Sequence, residues 1–440
     1  MSIDVLPDDV LLSIYDYYVG EATDVEGWRT LVHVCRRWRN VVFGSPRRLH
    51  LRVAWTNKSH VREKLDVLPR LPIVVSGNCD TIACLENIKA ALEHSDRVCQ
   101  IELMINQQQI PREDVLVALD KPFPALTDLD LSLCPTSYPE LLKSLGASRH
   151  LRSLSLGGIG IPQFPALLAF SVDLNSLHLH DIPHYRYLTP DTTATALSGL
   201  TGLETLSLRF KSFQTDHQES HHLLPRSVLL SLICFDYEGV SEYLEALVAR
   251  IDTPVLERLG ITFFRQPTFH TTQLLWFLSR IPEMQELDKA RMKLANPEVW
   301  IEFSSSDFSL SALRLGISSE KPERHFPCLA RFFGLPFNIL STLESFYIVA
   351  CPHLEQYRWD RVENAQWVEL FRPFVEVKNL YLSKEVTPHI APALQELVEK
   401  SVTEVFPTLQ NVFLEDLLPA GPVYDAIMQF TTARRLSVAL

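Results

Sequence analysis

Apolar and polar positions alternate in short bursts along most of this chain, and the bursts share one form. LTDLDL from Leu126, LRSLSL from Leu151, LNSLHL from Leu174 and LETLSL from Leu203 are four copies of an LxxLxL unit. Weaker copies begin at Leu229, Leu256, Met284, Leu310, Leu343, Val377, Leu409 and Ala433, with earlier ones at Pro46, Leu68 and Val98, so that successive starts lie 22 to 34 residues apart. Within a unit the fourth and sixth positions are apolar and the third, fifth and seventh mostly polar, a period of two that predicts a strand. Leu129 and Leu131 are expected to point inward and Asp128, Asp130 and Ser132 outward. A segment this short cannot bury its own apolar face, so stacking of neighbours into one continuous core is the stable solution.

Between the strands the period changes. VSEYLEALVARI, from Val240 to Ile251, places Val240, Leu244, Leu247, Val248 and Ile251 on one helical face. Other returns, such as GIPQFPAL and KPFPAL, carry several of the chain's 28 prolines, which favours bent connections over regular helices. The opening 45 residues read differently again. Val10, Leu11, Ile14, Tyr17 and Tyr18 run at helical spacing behind Pro7, with Asp8 and Asp9 suited to a helix N-terminus. Trp28, Leu31, Val32 and Cys35 form a second stripe, and Val34, Trp38, Val41 and Val42 a third that ends at Gly44 and Pro46. Three short helices bury too little surface to be stable alone, and their stripes are too many for one interior. Such a module is expected to lay its spare apolar face on another protein.

Composition narrows the partners. With 46% apolar residues in 440, core size is no obstacle, and a formal charge of −12 opposes phosphate backbones and anionic membranes, so neither nucleic acid nor membrane is expected as a partner. No basic segment precedes an apolar run at the N-terminus, and no apolar run approaches the roughly 18 residues that span a bilayer. A cytoplasmic or nuclear protein is the expectation. Eight cysteines contain no CxxC pair and read as reduced, mostly buried side chains. His217 and His221 lie four apart, a metal-ligand spacing, but without an evident third ligand they read as part of a polar loop. Gly157-Gly158-Ile159-Gly160 lacks the GxGxxG or Lys-Ser/Thr context of a phosphate loop and reads as a tight turn after a strand. No GxSxG and no distinctive carboxylate pair is present, so no catalytic residue, metal or cofactor is expected.

The repeating unit resembles leucine-rich repeats over about nine tenths of the chain. The family usually carries Asn or Cys at the ninth repeat position; Cys134 and Cys351 fit, whereas Ile159, Ile182 and Phe264 cannot form the amide ladder of an Asn column. The N-terminal residues Leu6-Pro7-Asp8-Asp9-Val10-Leu11-Leu12, followed by Val34-Cys35-Arg36-Arg37-Trp38, resemble an F-box, with a connector about five residues long in excess and a following SPRRLHL similar to expanded F-box families of fungi. The fold expected is therefore α/β: an all-α F-box-like module over residues 1–46, then an irregular leucine-rich-repeat solenoid with a curved parallel sheet over 47–440.

What this resemblance implies is a non-catalytic substrate receptor of a Skp-cullin-F-box ubiquitin ligase. Leu6, Pro7, Val10, Leu11, Ile14, Leu31, Val34, Cys35 and Trp38 would form or support contact with a Skp-type adaptor, and through it a cullin, while the repeats hold a protein substrate. Trp38 is the expected anchor, since indoles dominate desolvated interfaces, unless it packs the module on the first repeat together with Val41 and Val42. Arg36, Arg37, Arg47 and Arg48 would steer an acidic adaptor surface, or else form a solvated helix end. The alternative is a repeat scaffold with a vestigial F-box. Aligning repeats on their fifth position gives Arg314, Tyr347, Tyr381 and Phe413 on consecutive strands. The three rings would form an outward aromatic ladder that either docks the substrate or pairs internally to stabilise the sheet. His178, His180 and Arg209 are further outward candidates.

Overall fold

The computed structural model describes residues 6–21, 34–44, 51–53, 65, 72–78, 81–105, 117–136, 148, 150–159, 168, 173–182, 188–211, 226–264, 266, 268–294, 298–305, 308, 311–318, 325–335, 338–350, 362–400, 403–416 and 420–439. The chain divides into two compact units, residues 1–188 with 195–203, and residues 189–194 with 204–440.

In the first unit, helices α1 (Asp8–Glu21) and α2 (Arg36–Gly44) precede six strands: β1 (Leu51–Val53), β2 (Ile73–Asn78), β3 (Val98–Ile105), β4 (Asp128–Thr136), β5 (Ser153–Ile159) and β6 (Ser176–Ile182). They pair in chain order, every ladder parallel. The alternation is as the residues dictate: Leu129 and Leu131 are buried, Asp128, Asp130 and Ser132 partly exposed. Helix α3 (Ile82–Leu92), capped by the Thr81 hydroxyl accepting from the Cys84 amide, returns the chain from β2 to β3. The earliest frames need correction. Val53 and Val75 stand opposite one another and Val75 opposite Ile101, so the units read from Pro46 and Leu68 lie four residues too early. Pro72 has no N–H to give a ladder, and β2 begins just after it.

The second unit holds β7 (Thr205–Phe210), β8 (Ser227–Val228), β9 (Cys234–Gly239), β10 (Ile251–Asp252), β11 (Arg258–Phe264), β12 (Lys289–Leu294), β13 (Glu298–Ser304), β14 (Leu313–Ser318), β15 (Ser345–Ala350), β16 (Asn379–Leu382), β17 (Asn411–Leu414) and β18 (Ser437–Ala439). Its main sheet runs β7-β9-β11-β14-β13-β12-β15-β16-β17-β18, with β8 and β10 forming a separate pair. Strand β13 is antiparallel to both neighbours, and the meander β12-β13-β14 crosses the sheet in reverse chain order. The otherwise parallel sheet expected of the repeats is interrupted at this strand. EVWIEFS buries Val299, Ile301 and Phe303 and leaves Trp300 partly exposed, with no LxxLxL frame around it.

Three other frames shift. Cys234 pairs with Thr205, Lys289 with Ser345 and Ser437 with Asn411, so the units begin at Leu232, Leu287 and Arg435 instead of Leu229, Met284 and Ala433. The helix expected over Val240–Ile251 is α4 (Ser241–Val248); Val240 caps it and Ile251 has left it for β10. The core between the sheet and its return helices is aromatic. Phe346 stacks on Phe374 at 4.5 Å and contacts Phe371 and Phe406. Trp367 of α7 (Asn364–Phe371) meets the Phe326 edge at 4.5 Å; α5 (Thr272–Leu278) and α6 (His325–Phe333) are returns between earlier strands.

One parallel strand delivered by each LxxLxL unit, with its fourth and sixth side chains buried under a helical or irregular return, defines a leucine-rich repeat fold. The ninth-position amide ladder is replaced by one at the third position. The Ser437 hydroxyl bonds Asn411 Oδ1, Asn411 Nδ2 donates to Asn379 Oδ1 at 2.8 Å, and Asn379 Nδ2 to Ser345 Oγ at 3.4 Å. Ile182 is buried and Phe264 partly exposed; Cys351 lies outside the described residues. The Cys84, Cys99 and Cys328 side chains are buried, and those of Cys35 and Cys234 are partly exposed. No helix among the described residues is long and apolar enough to cross a membrane.

Candidate functional site

Two surfaces carry the candidate residues, one in each unit. In α1 the residues Leu11 and Tyr15, one turn apart, face inward with Trp38 of α2; all three are at most 5% exposed. Burial alone pushes the Tyr15 phenol far above its ordinary titration range. Arg37 ties the two segments together: its guanidinium donates to the Leu6 carbonyl and to Asp8 Oδ1 at 2.8 Å. Cys35 immediately precedes α2, its sulfur accepting from the Trp38 amide at 3.5 Å.

The other face of this pair remains open. Val10 is 41% exposed, Ile14 37%, Tyr17 68% and Val34 53%. The expected contact residues thus separate by role. Val10, Ile14 and Val34 present apolar surface, Pro7 is exposed, Leu6 and Cys35 are partly exposed, and Leu11 and Trp38 hold the helices from within. Trp38 is buried, which is the packing role that stood beside its anchor reading. Its Nε1–H is buried with no hydrogen-bond partner. Arg37 is likewise an internal clamp, while Arg36 is exposed. Leu31, Trp28, Val32, Arg47 and Arg48 lie outside the described residues.

The second surface is the outward face of the second unit's sheet. Tyr347, Tyr381 and Phe413 occupy facing positions on β15, β16 and β17. Their rings stack at 4.1 and 4.3 Å between centroids, each pair 7° from parallel. The ladder expected from the sequence exists, and its internal pairing is real: ring faces cover one another, and edges and hydroxyls are what remain to meet solvent. Burial, and then the hydrogen bond with Tyr381, pushes the Tyr347 phenol up to about 12. Replacing Tyr381 by Ser removes both stacking contacts and is expected to cost about 2 kcal/mol, read as a lower midpoint in urea.

Arg314 is not on the strand beside Tyr347. The meander inserts two strands, and the row runs Arg314, Glu302, Arg291, Tyr347, Tyr381, Phe413. Sequence reading missed Arg291, Trp300 and Glu302; the alternation in KARMKL and EVWIEFS was the available signal. Glu302 is the hub. Its carboxylate accepts from Arg291 Nε at 3.0 Å and Nη2 at 2.7 Å, from Lys293 Nζ at 3.0 Å and from Trp300 Nε1 at 3.2 Å. The Arg314 guanidinium lies over the Trp300 ring at 4.7 Å and that of Arg291 over Phe308 at 4.3 Å.

Burial would raise the Glu302 carboxyl, but hydrogen bonds and charge from Arg291 and Lys293 outweigh it and hold the group below the ordinary carboxylate range. A depressed folded value adds stability that is complete above the unfolded value of about 4.3 and vanishes as pH falls through the folded one. Glu302→Gln is therefore expected to lower the melting temperature at neutral pH, by about 2 kcal/mol in stability. The difference from the parent should close as pH is lowered below about 4, checked by paired melts across pH.

In the first unit His180 Nε2 and Ser132 Oγ lie 3.0 Å apart, with the imidazole over Gly157, where a Cβ would come within 2.2 Å of the ring. Gly157 to Ile159 thus remain in β5, with Gly158 at positive φ, and are not a turn after it. His178 bonds Ser176 at 2.8 Å, and Arg209 is exposed. His217 and His221 lie outside the described residues; among the described ones no three metal-ligating side chains converge.

No family model matches the chain, and no curated protein does. Among solved structures it is similar to the leucine-rich repeat-containing protein LegL7 from Legionella pneumophila, at 14% identity and a TM-score of 0.31, covering 87% of this chain and 98% of that one. It is also similar to a chain in the Rad7 and Elc1 complex of yeast, at 12% identity and a TM-score of 0.35, covering 92% of this chain and 88% of that one.

Proposed function

We propose that this chain is a substrate-recognition subunit of a Skp-cullin-F-box ubiquitin ligase, non-catalytic itself. Its N-terminal helices bind a Skp-type adaptor and the outward face of its repeats holds a protein substrate. The observation that carries the reading is the exposed apolar row Val10, Ile14 and Tyr17 along α1, with exposed Val34 just ahead of α2, while Leu11, Tyr15 and Trp38 are buried. Apolar side chains in that number on one short helix pair are costly to leave in water and gain by burial against another protein. The sequence around them, LPDDVLL followed by VCRRW, is the F-box-like pairing.

The proposal fixes a division of labour: residues 1–46 recruit, the repeats select. Mass spectrometry of proteins co-purifying with the intact chain, against a chain beginning at Pro46, tests it. A Skp-type adaptor and a cullin should be recovered with the intact chain and lost from the shortened one. Recovery of neither with the intact chain would favour a repeat scaffold outside any ligase.

A further inference from the structure

The outward aromatic row of the second unit is finished at one end and unfinished at the other. On the β12 side, Phe308 stands edge-on to Tyr347 at 5.4 Å and carries the Arg291 guanidinium over its own ring at 4.3 Å. On the β18 side the row stops at Phe413. One face of that ring is stacked on Tyr381 at 4.3 Å, and the position opposite Phe413 on β18 is Ala439, a residue type with no ring to add. Phe413 is partly exposed, and among the described residues Tyr381 is its ring partner.

Carboxylates gather beside this open end. At the C-terminal ends of β16 and β17, Glu385, Glu415 and Asp416 are exposed, and the cation described there, Lys384, pairs with Asp416 at 3.6 Å. Glu415 follows Phe413 by two residues, and its amide continues the ladder by donating to the Leu382 carbonyl, which keeps it on the Phe413 side of the strand. At the opposite ends of the strands Lys378 pairs with Glu344 at 2.6 Å, and exposed Arg435 precedes β18. With both ends counted, these four carboxylates still outnumber the three cations, and the excess lies at the Glu415 end.

The same face shows what closes a ring surface. Arg291 lies over Phe308, and Arg314 over Trp300 at 4.7 Å. A guanidinium is planar and weakly hydrated, so it can stack on a ring and pair with a carboxylate at once, which an ammonium does less well. A further aromatic ring would stack on Phe413 but leave Glu415 unanswered. The charge of −12 on the whole chain also draws a cationic segment.

We propose that the open face of Phe413 is a subsite for an arginine side chain of the partner protein. The guanidinium lies parallel to the ring, above Ala439, and its N–H groups donate to the Glu415 carboxylate. This rests on reading the outward face as the substrate surface, and it names one residue type that the substrate presents there.

The test places para-fluorophenylalanine at position 413 of the full chain and follows its fluorine resonance during titration with N-acetyl-arginine amide. The lysine and citrulline derivatives are the comparisons, citrulline being planar but uncharged. The resonance should shift saturably with the arginine derivative, at a Kd about fivefold below that for lysine, and should not saturate with citrulline. Glu415→Gln should raise the arginine Kd about threefold at unchanged melting temperature. Glu257→Gln removes an equal, exposed charge just ahead of β11 and should leave the Kd unchanged. Ala439→Phe adds a ring in register with Phe413 and should abolish the arginine-dependent shift in a folded chain. No saturable shift, equal Kd values for arginine and lysine, no effect of Glu415→Gln, or a shift that survives Ala439→Phe would overturn the proposal. Adaptor capture is measured on the same preparations. Capture of adaptor without the arginine shift defeats the subsite alone, and the arginine shift without adaptor capture defeats the ligase reading alone.

Discussion

Val10→Asp with Ile14→Asp is expected to abolish capture of a Skp-type adaptor, weakening it at least a hundredfold, while leaving the chain folded. Both side chains lie on the open face of α1, a turn apart. Interface side chains that become desolvated are commonly worth about 2 kcal/mol each on truncation, and placing carboxylates there adds the cost of burying unpaired charge. The two together exceed the ~2.7 kcal/mol that a hundredfold represents. Stability should change little, because substitutions at exposed positions usually stay within about 0.5 kcal/mol. Trp38→Ala is the informative contrast: it empties the interior of the module and should lose adaptor binding by unfolding α1 and α2, visible as lost helicity that the aspartate pair does not show.

Phe346→Ala should produce the largest loss of stability, about 4 kcal/mol in the second unit. The ring is fully buried, stacked on Phe374 and tilted or edge-on to Phe371 and Phe406, so truncation leaves a cavity walled by rigid aromatics that cannot close over it. For a unit of this size the corresponding fall in melting temperature is about 10 °C by calorimetry. Adaptor binding should persist, because α1 and α2 belong to the other unit.

The inward leucines were legible because a half-buried strand writes its burial into alternate residues. Their register was less so. LLSLICFDY fits the LxxLxL template from Leu229 and from Leu232, since apolar residues three apart also serve the turn before each strand; the pairing of Cys234 with Thr205 decides between them. Strand order was not legible at all around β13. Which strand lies beside β15 depends on how residues 289–318 fold back, a non-local choice that local periodicity does not encode. That is why Arg314 was placed next to Tyr347 and why Glu302, which organises the cations between them, went unseen. At the N-terminus the apolar stripes were legible, but not their division into inside and outside. Trp38 and Val34 fell on one predicted stripe, yet Trp38 is sealed and Val34 open, because Val34 precedes the first turn of α2.

The ligase reading depends on a second polypeptide covering the bare side of α1. Hydrogen–deuterium exchange of the intact protein, alone and with a saturating Skp-type adaptor, measures that coverage directly. Slower exchange confined to residues 8–21 and 34–44 is the expected result; unchanged exchange there, with the adaptor present at concentrations that saturate known receptors, would contradict it.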